Sequence, residues 1–272
     1  MRVLPSYIKN LSLTEHVMPA LFIGHGSPMN AIENNPFTQA LKKLSREIPK
    51  PKAILCVSAH WLTRGTHILK SEKPKTIHDF YGFPEKLYQI EYPASGAPEA
   101  AKETQQLISS AKTHLTEEWG LDHGCWTVLL HMYPQADIPV YELSIDYYKP
   151  FEYHLKIAEE LKALRKKGVL IIGSGNITHN LGKVNFTDIN AAPADWAIEF
   201  DQKVQEAFET RSKSFLIHPE KTGALFKTAH PEPSHYIPLI YTFGVADLNE
   251  QVTYPYDQFQ YGTLSMRAIK IS

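Results

Sequence analysis

The chain reads as a single α/β domain with a mostly parallel central sheet flanked by helices. Three observations lead there. Apolar runs at 19–23, 53–57 and 169–173 carry the pattern of strands buried on both faces. Amphipathic stretches at 98–115, 150–165 and 194–210 alternate with them, as helices do in parallel βαβ units. No repeat, low-complexity tract or Ser/Gly linker divides the 272 residues, a length that one large domain can absorb.

Taken in order, residues 1–17 are expected to be an N-terminal extension and 18–272 the folded domain. The first strand runs into Gly24-His25-Gly26-Ser27-Pro28-Met29. Asn35-Pro36 then supplies a cap and a first helical residue, with Phe37, Ala40, Leu41 and Leu44 on one face. The second strand lies in Ala53–Trp61 (AILCVSAHW) and ends in His60 and Trp61. Residues 71–98 are rich in Pro, Gly and aromatics without helix or strand periodicity. They read as an aromatic-packed loop, or as a wall for a flat substrate. A helix is expected over 98–115. Leu121-Asp122-His123-Gly124-Cys125-Trp126 then leads into a short apolar helix. A strand at 139–145, a helix at 150–165 ended by Gly168, and the strand at 169–173 form a βαβ unit. The tail, 251–271, reads as β-structure split near Tyr261-Gly262-Thr263.

Composition narrows the function classes. The chain is 43% hydrophobic and 21% charged, ordinary for a soluble globular protein. A formal net charge of −1 argues against a broad nucleic-acid or anionic-membrane surface. No apolar run approaches the roughly 18 residues of a membrane span, and no signal peptide is evident. Cys56 and Cys125 do not make a disulfide framework and fit a reducing compartment. A cytoplasmic protein is expected.

The chemistry lies at the strand exits. Three buried strands each end in an imidazole: His25, His60, and His179 after Gly173-Ser174-Gly175. Ligands of open α/β sheets bind outside the carboxyl ends of the strands, so these rings could converge on one ion. Neutral imidazole suits Zn, Cu, Fe and Ni. A further histidine sits in Ala229-His230-Pro231-Glu232-Pro233-Ser234-His235-Tyr236, where spacing does not choose between His230 and His235. Rival chemistries are weaker. A dinucleotide loop would need glycine where Thr178 stands, neither Ser27 nor Ser174 sits in G-x-S-x-G, and P-loop and HExxH motifs are absent.

Six segments then appear in a telling order: GHGSPM (24–29), SAHW (58–61), DFYGFPEKLY (79–88), DHGCW (122–126), GSGNITHNL (173–181) and PSHYIPL (233–239). Together they resemble the class III extradiol ring-cleavage dioxygenases (LigB-like), in particular the DOPA 4,5-dioxygenase branch. The resemblance implies metal ligands at His25, His60 and His235. It implies a base or fourth ligand at His179, and a second active-site histidine at His123. Trp61, Phe80, Tyr81 and Phe83 are candidates for sandwiching a ring. Fe(II) is the implied working metal, with Zn(II) possible in a purified sample, and a catechol and O2 are the implied partners. Two other readings stand beside it: a zinc hydrolase using metal-activated water, and a binding protein that keeps the fold without the activity. His78 and His230 receive no role from the sequence.

Overall fold

The structure, a computed structural model, describes residues 13, 14 and 16–272. Most of the expected extension at 1–17 lies outside the described residues.

The first half of the chain runs β1 (Ala20–Gly24), α1 (Pro36–Arg46), β2 (Ala53–Ser58), β3 (Leu62–Thr63), β4 (Thr66–Leu69), α2 (Glu85–Tyr88), α3 (Pro98–Leu107), β5 (Thr113–Thr116) and α4 (His123–Met132). Then come β6 (Val140–Glu142), β7 (Ile145–Asp146), α5 (Phe151–Arg165), β8 (Val169–Gly175), α6 (Asp195–Glu209), α7 (Lys213–Ile217), α8 (Ala224–Ala229) and α9 (Ile237–Gly244). The tail is β9 (Val252–Tyr256), β10 (Phe259–Gln260), β11 (Leu264–Ser265) and β12 (Ala268–Ile271). Tyr261 and Gly262, both at positive φ, break it where the sequence suggests.

Six strands form the central sheet in the order β6-β2-β8-β1-β12-β9. The first four pair in parallel, and the tail adds two antiparallel strands beside β1. Strand alternation sends successive residues to opposite faces. Leu21, Ile23, Ile54, Cys56, Leu170 and Ile172 pack with Phe37, Leu41 and Leu44 of α1 and Trp126 and Leu129 of α4. Leu55, Val57, Val169 and Ile171 pack on the other side, with Ile157, Ala158 and Leu161 of α5 and Ile237 and Tyr241 of α9. Helices therefore cover both faces, which is why β2 and β8 are buried throughout and apolar up to their carboxyl ends. Helix α1 starts as expected: the Asn35 side chain and Thr38 cap each other reciprocally after the extended turn before Pro36.

Two expectations are corrected. The helix expected over 98–115 stops at Leu107, and Thr113–Thr116 is a strand paired in parallel with β4. The Glu160 carboxylate of α5 accepts from the backbone N–H and hydroxyl of both Ser109 and Ser110, so those groups leave the helical ladder. The strand expected over 139–145 is two strands. β6 pairs with β2 and β7 with β3, and the chain changes partner where the Ser144 hydroxyl meets Thr63 and the His67 N–H.

Candidate metal centre

β1 and β2 deliver His25 and His60 to the carboxyl edge of the sheet. His235 reaches the same edge from the proline-framed turn after α8. That approach needs a glycine: a side chain at Gly175 would meet the His235 carbonyl oxygen 2.2 Å from its Cβ. Gly173 is similarly blocked by the Pro238 carbonyl at 2.3 Å, so the Gly-Ser-Gly segment serves close packing of α9 and its turn on β8. The three ring centroids lie 5.0, 5.3 and 5.0 Å apart, and one nitrogen from each ring lies within 4.8 Å of the others.

The partners of each Nδ1 fix which nitrogen is bare. Ser174 gives its hydroxyl hydrogen to the Gly124 carbonyl, so across its 2.9 Å contact with His25 Nδ1 it can only accept. Ser234 gives its hydrogen to Glu232 and likewise accepts from His235 Nδ1 at 3.1 Å. His60 Nδ1 faces the Asp79 carboxylate at 3.3 Å, also an acceptor. Nδ1 of His25 and of His235 is thus a donor, the Asp79 charge favours the same form at His60, and in that form every Nε2 keeps its lone pair. His25 Nε2 and His60 Nε2 nevertheless sit 3.0 Å apart, and His235 Nε2 is buried without a partner. Two bare lone pairs at that distance repel unless a cation lies between them. Ligands about 2.0–2.1 Å from one ion would stand roughly 3 Å apart, so the donor set fits a metal. Burial and the neighbouring imidazoles hold His25, His60 and His235 well below the ordinary histidine range, which keeps them neutral.

Two more histidines flank the triad. His179 stacks on His235, with centroids 3.5 Å apart and planes 3° from parallel. Burial, then the His123 charge, lower it to about 4. His123 opens α4 and lies 3.8 Å from His60 between centroids. Its backbone N–H donates to Asp79 Oδ1 at 2.9 Å, and its Nδ1 lies 3.0 Å from Asp79 Oδ2.

The other expected residues divide. Phe80 meets His123 edge-on at 5.6 Å, and Phe83 packs behind it at 5.3 Å. Tyr81 is 92% exposed and does not join them. Trp61 is buried and stacks on Trp119 at 5.8 Å. His230 is also buried, but its Nε2 donates to the Ile177 carbonyl at 2.7 Å, outside the triad. His78 donates to the Ile90 carbonyl and pins the aromatic stretch. Cys56 and Cys125 are free and buried, and burial pushes the Cys125 thiol up, away from nucleophilic use.

Sequence reasoning missed the polar groups beneath the rings. Asp79 is the foremost. Asp122 caps α4 and accepts from the Ser58 hydroxyl at 2.6 Å, while its own N–H donates to Glu142. Burial and the Asp79 charge raise Asp122 to about 6, and burial with Asp122 raises Glu142. Asp122 alone carried a readable sign, an Asp immediately before a histidine-led helix.

Imidazoles gathered at a sheet edge, backed by hydroxyls and carboxylates, make the layout of a metalloenzyme pocket. The chain belongs to the family described as the catalytic LigB subunit of aromatic ring-opening dioxygenase, whose model matches residues 11–267, and is thereby an extradiol ring-cleavage dioxygenase by class. It is 41% identical to the 4,5-DOPA dioxygenase extradiol of Escherichia coli K12, over 97% of this chain and 98% of that protein. The 4,5-DOPA dioxygenase extradiol of Beta vulgaris is 36% identical over 95% of this chain and 98% of its own length. An uncharacterized protein of Escherichia coli K12 with a crystal structure superposes at a TM-score of 0.82, with 38% identity, covering 94% of this chain and 100% of that one. No helix among the described residues is long and apolar enough to cross a membrane.

Proposed function

We propose that this enzyme opens the ring of a catechol such as DOPA between carbons 4 and 5, using Fe(II) held by His25, His60 and His235. One observation carries the reading. The Nε2 atoms of His25, His60 and His235 converge at the sheet edge, with His179 and His123 packed against the triad. Bound there, ferrous iron supplies Lewis acidity toward both catechol oxygens and a path for electrons from the ring to O2.

The chain's own residues do the rest. His179 is neutral, so it can take the phenolic proton as the diol binds. His123 keeps Nε2 as its remaining nitrogen and can hold or return a proton next to the reacting carbons. Phe80, edge-on to His123, gives the ring an apolar surface. A ring carbon–carbon bond beside the diol breaks, both atoms of O2 enter the product, and a semialdehyde acid results.

The all-imidazole donor set also suits Zn(II), so the metal of a purified sample and the working metal can differ. Anaerobic loading with Fe(II), then DOPA, then air, is expected to give a yellow ring-fission product with matching oxygen uptake. No uptake across a panel of catechols would overturn the reading, and zinc-dependent ester or amide hydrolysis would replace it with a hydrolase.

A further inference from the structure

Asp79 receives no role in the mechanism above, yet its carboxylate faces both His60 of the triad and His123 beside it. Its Oδ2 lies 3.3 Å from His60 Nδ1 and 3.0 Å from His123 Nδ1, while its Oδ1 accepts the His123 backbone N–H at 2.9 Å. His60 and His123 in turn pack on each other at 3.8 Å between centroids. We infer that Asp79 is a positioning residue that fixes the tautomer of both rings at once, linking metal affinity to the histidine that faces substrate.

The inference rests on the proposed metal reading and deepens it. The contacts are ion contacts rather than hydrogen bonds, and an anionic oxygen 3.0–3.3 Å from a ring nitrogen repels a lone pair there and attracts an N–H, so each ring turns its N–H toward it. His60 then keeps its Nε2 lone pair for the metal, and His123 keeps its Nε2 free to accept a proton. Asp79 is the carboxylate that both rings share. The loop also places Phe80 directly after it, so one turn of chain sets the charge behind His123 and the ring at its edge.

Asp79→Asn tests this with almost no change of shape. If the amide oxygen keeps the His123 N–H, its NH2 replaces Oδ2 and can only donate. Both rings must then move their hydrogen to Nε2, which removes the metal's lone pair at His60. Expected is a 10- to 100-fold loss of Co(II) affinity, read from the cobalt absorption, the scale of change that outer partners of metal-bound histidines produce. In the Fe(II) enzyme kcat should fall with KM little changed. Nitrogen-15 histidine NMR of the metal-free protein should show Nδ1–H tautomers at His60 and His123 in the wild type and Nε2–H tautomers in the variant.

Wild-type Co(II) affinity and unchanged tautomers in Asp79→Asn would overturn the inference, leaving Asp79 as a helix cap. If the variant does not fold, the wild-type spectrum still decides, because an Nε2–H tautomer at either ring contradicts it. A wild-type protein that binds no Co(II) would instead overturn the metal reading, while the tautomers would still report on Asp79.

Discussion

His230 and His235 stand at the two ends of one proline-framed turn, both buried, and the structure uses them in opposite ways. His230 spends its Nε2 on the Ile177 carbonyl and sits among Phe200, Phe226 and Tyr236. His235 gives its Nδ1 to a serine and leaves Nε2 bare toward two other imidazoles. Each keeps one buried ring nitrogen without a partner, and what makes His235 available for chemistry is that its free nitrogen faces two other imidazoles. Burial does not separate them, and neither does residue type.

The largest test of that contrast is substitution at each end. His235→Ala should lose metal binding by about 100-fold or more and turnover by roughly three decades, since it removes a ligand rather than its support. His230→Ala should keep the metal and lose about 1–3 kcal/mol of stability through the unpaired Ile177 carbonyl, seen as a lower melting temperature. Metal loss in the His230 variant would erase the distinction.

Next is the division within the pocket. His123→Ala is expected to retain metal and lower kcat by about 10²–10⁴-fold, the usual contribution of a positioned acid or base. Metal loss on that substitution would make His123 a ligand. Among the aromatics, Phe80→Ala should raise the KM for catechol about 2- to 10-fold, corresponding to one lost ring contact. Trp61→Ala should leave KM alone and cost about 3–5 kcal/mol as a core cavity, readable by denaturant titration. Tyr81→Ala should move neither by more than about 0.5 kcal/mol.

The last test concerns pH dependence. Burial lowers His230 to about 3 and His154 to about 4. The unfolded chain gains protons on these rings as pH falls through about 6.5, and the folded chain refuses them until the lower values. Their contribution to stability is therefore full above about 6.5 and is lost as pH falls toward 3. In the metal-free protein His230→Gln, whose amide can still donate to Ile177, should flatten part of that slope. An unchanged slope would mean that other groups carry it.

Much of this was readable in the chain because buried parallel strands announce themselves. Ala53–Ser58 and Val169–Gly175 are apolar on both faces, so their exits, and the histidines there, follow. What was not readable depended on distant partners. Spacing left His235 and His230 tied and only the family resemblance separated them; the physical reason, the Ile177 carbonyl, lies far back in the chain. The early end of α3 turns on Glu160, which reaches Ser109 and Ser110 from another helix. Asp79 looked like one polar residue in an aromatic loop until folding brought two imidazoles against it. Trp61 and Tyr81 share an aromatic neighbourhood in sequence, yet one stacks in the core and the other faces water.

The place of β1 has a consequence for how the enzyme is made. This strand, early in the chain, lies between β8 and β12, and β12 reaches to Ile271. His25 is thus made well before β12, and the strand that carries it gains its second neighbour only when Ala268–Ile271 is in place. The nascent chain can display all three imidazoles before it can clamp them. A truncation that removes β12 should therefore loosen the seat of His25, more than two hundred residues upstream.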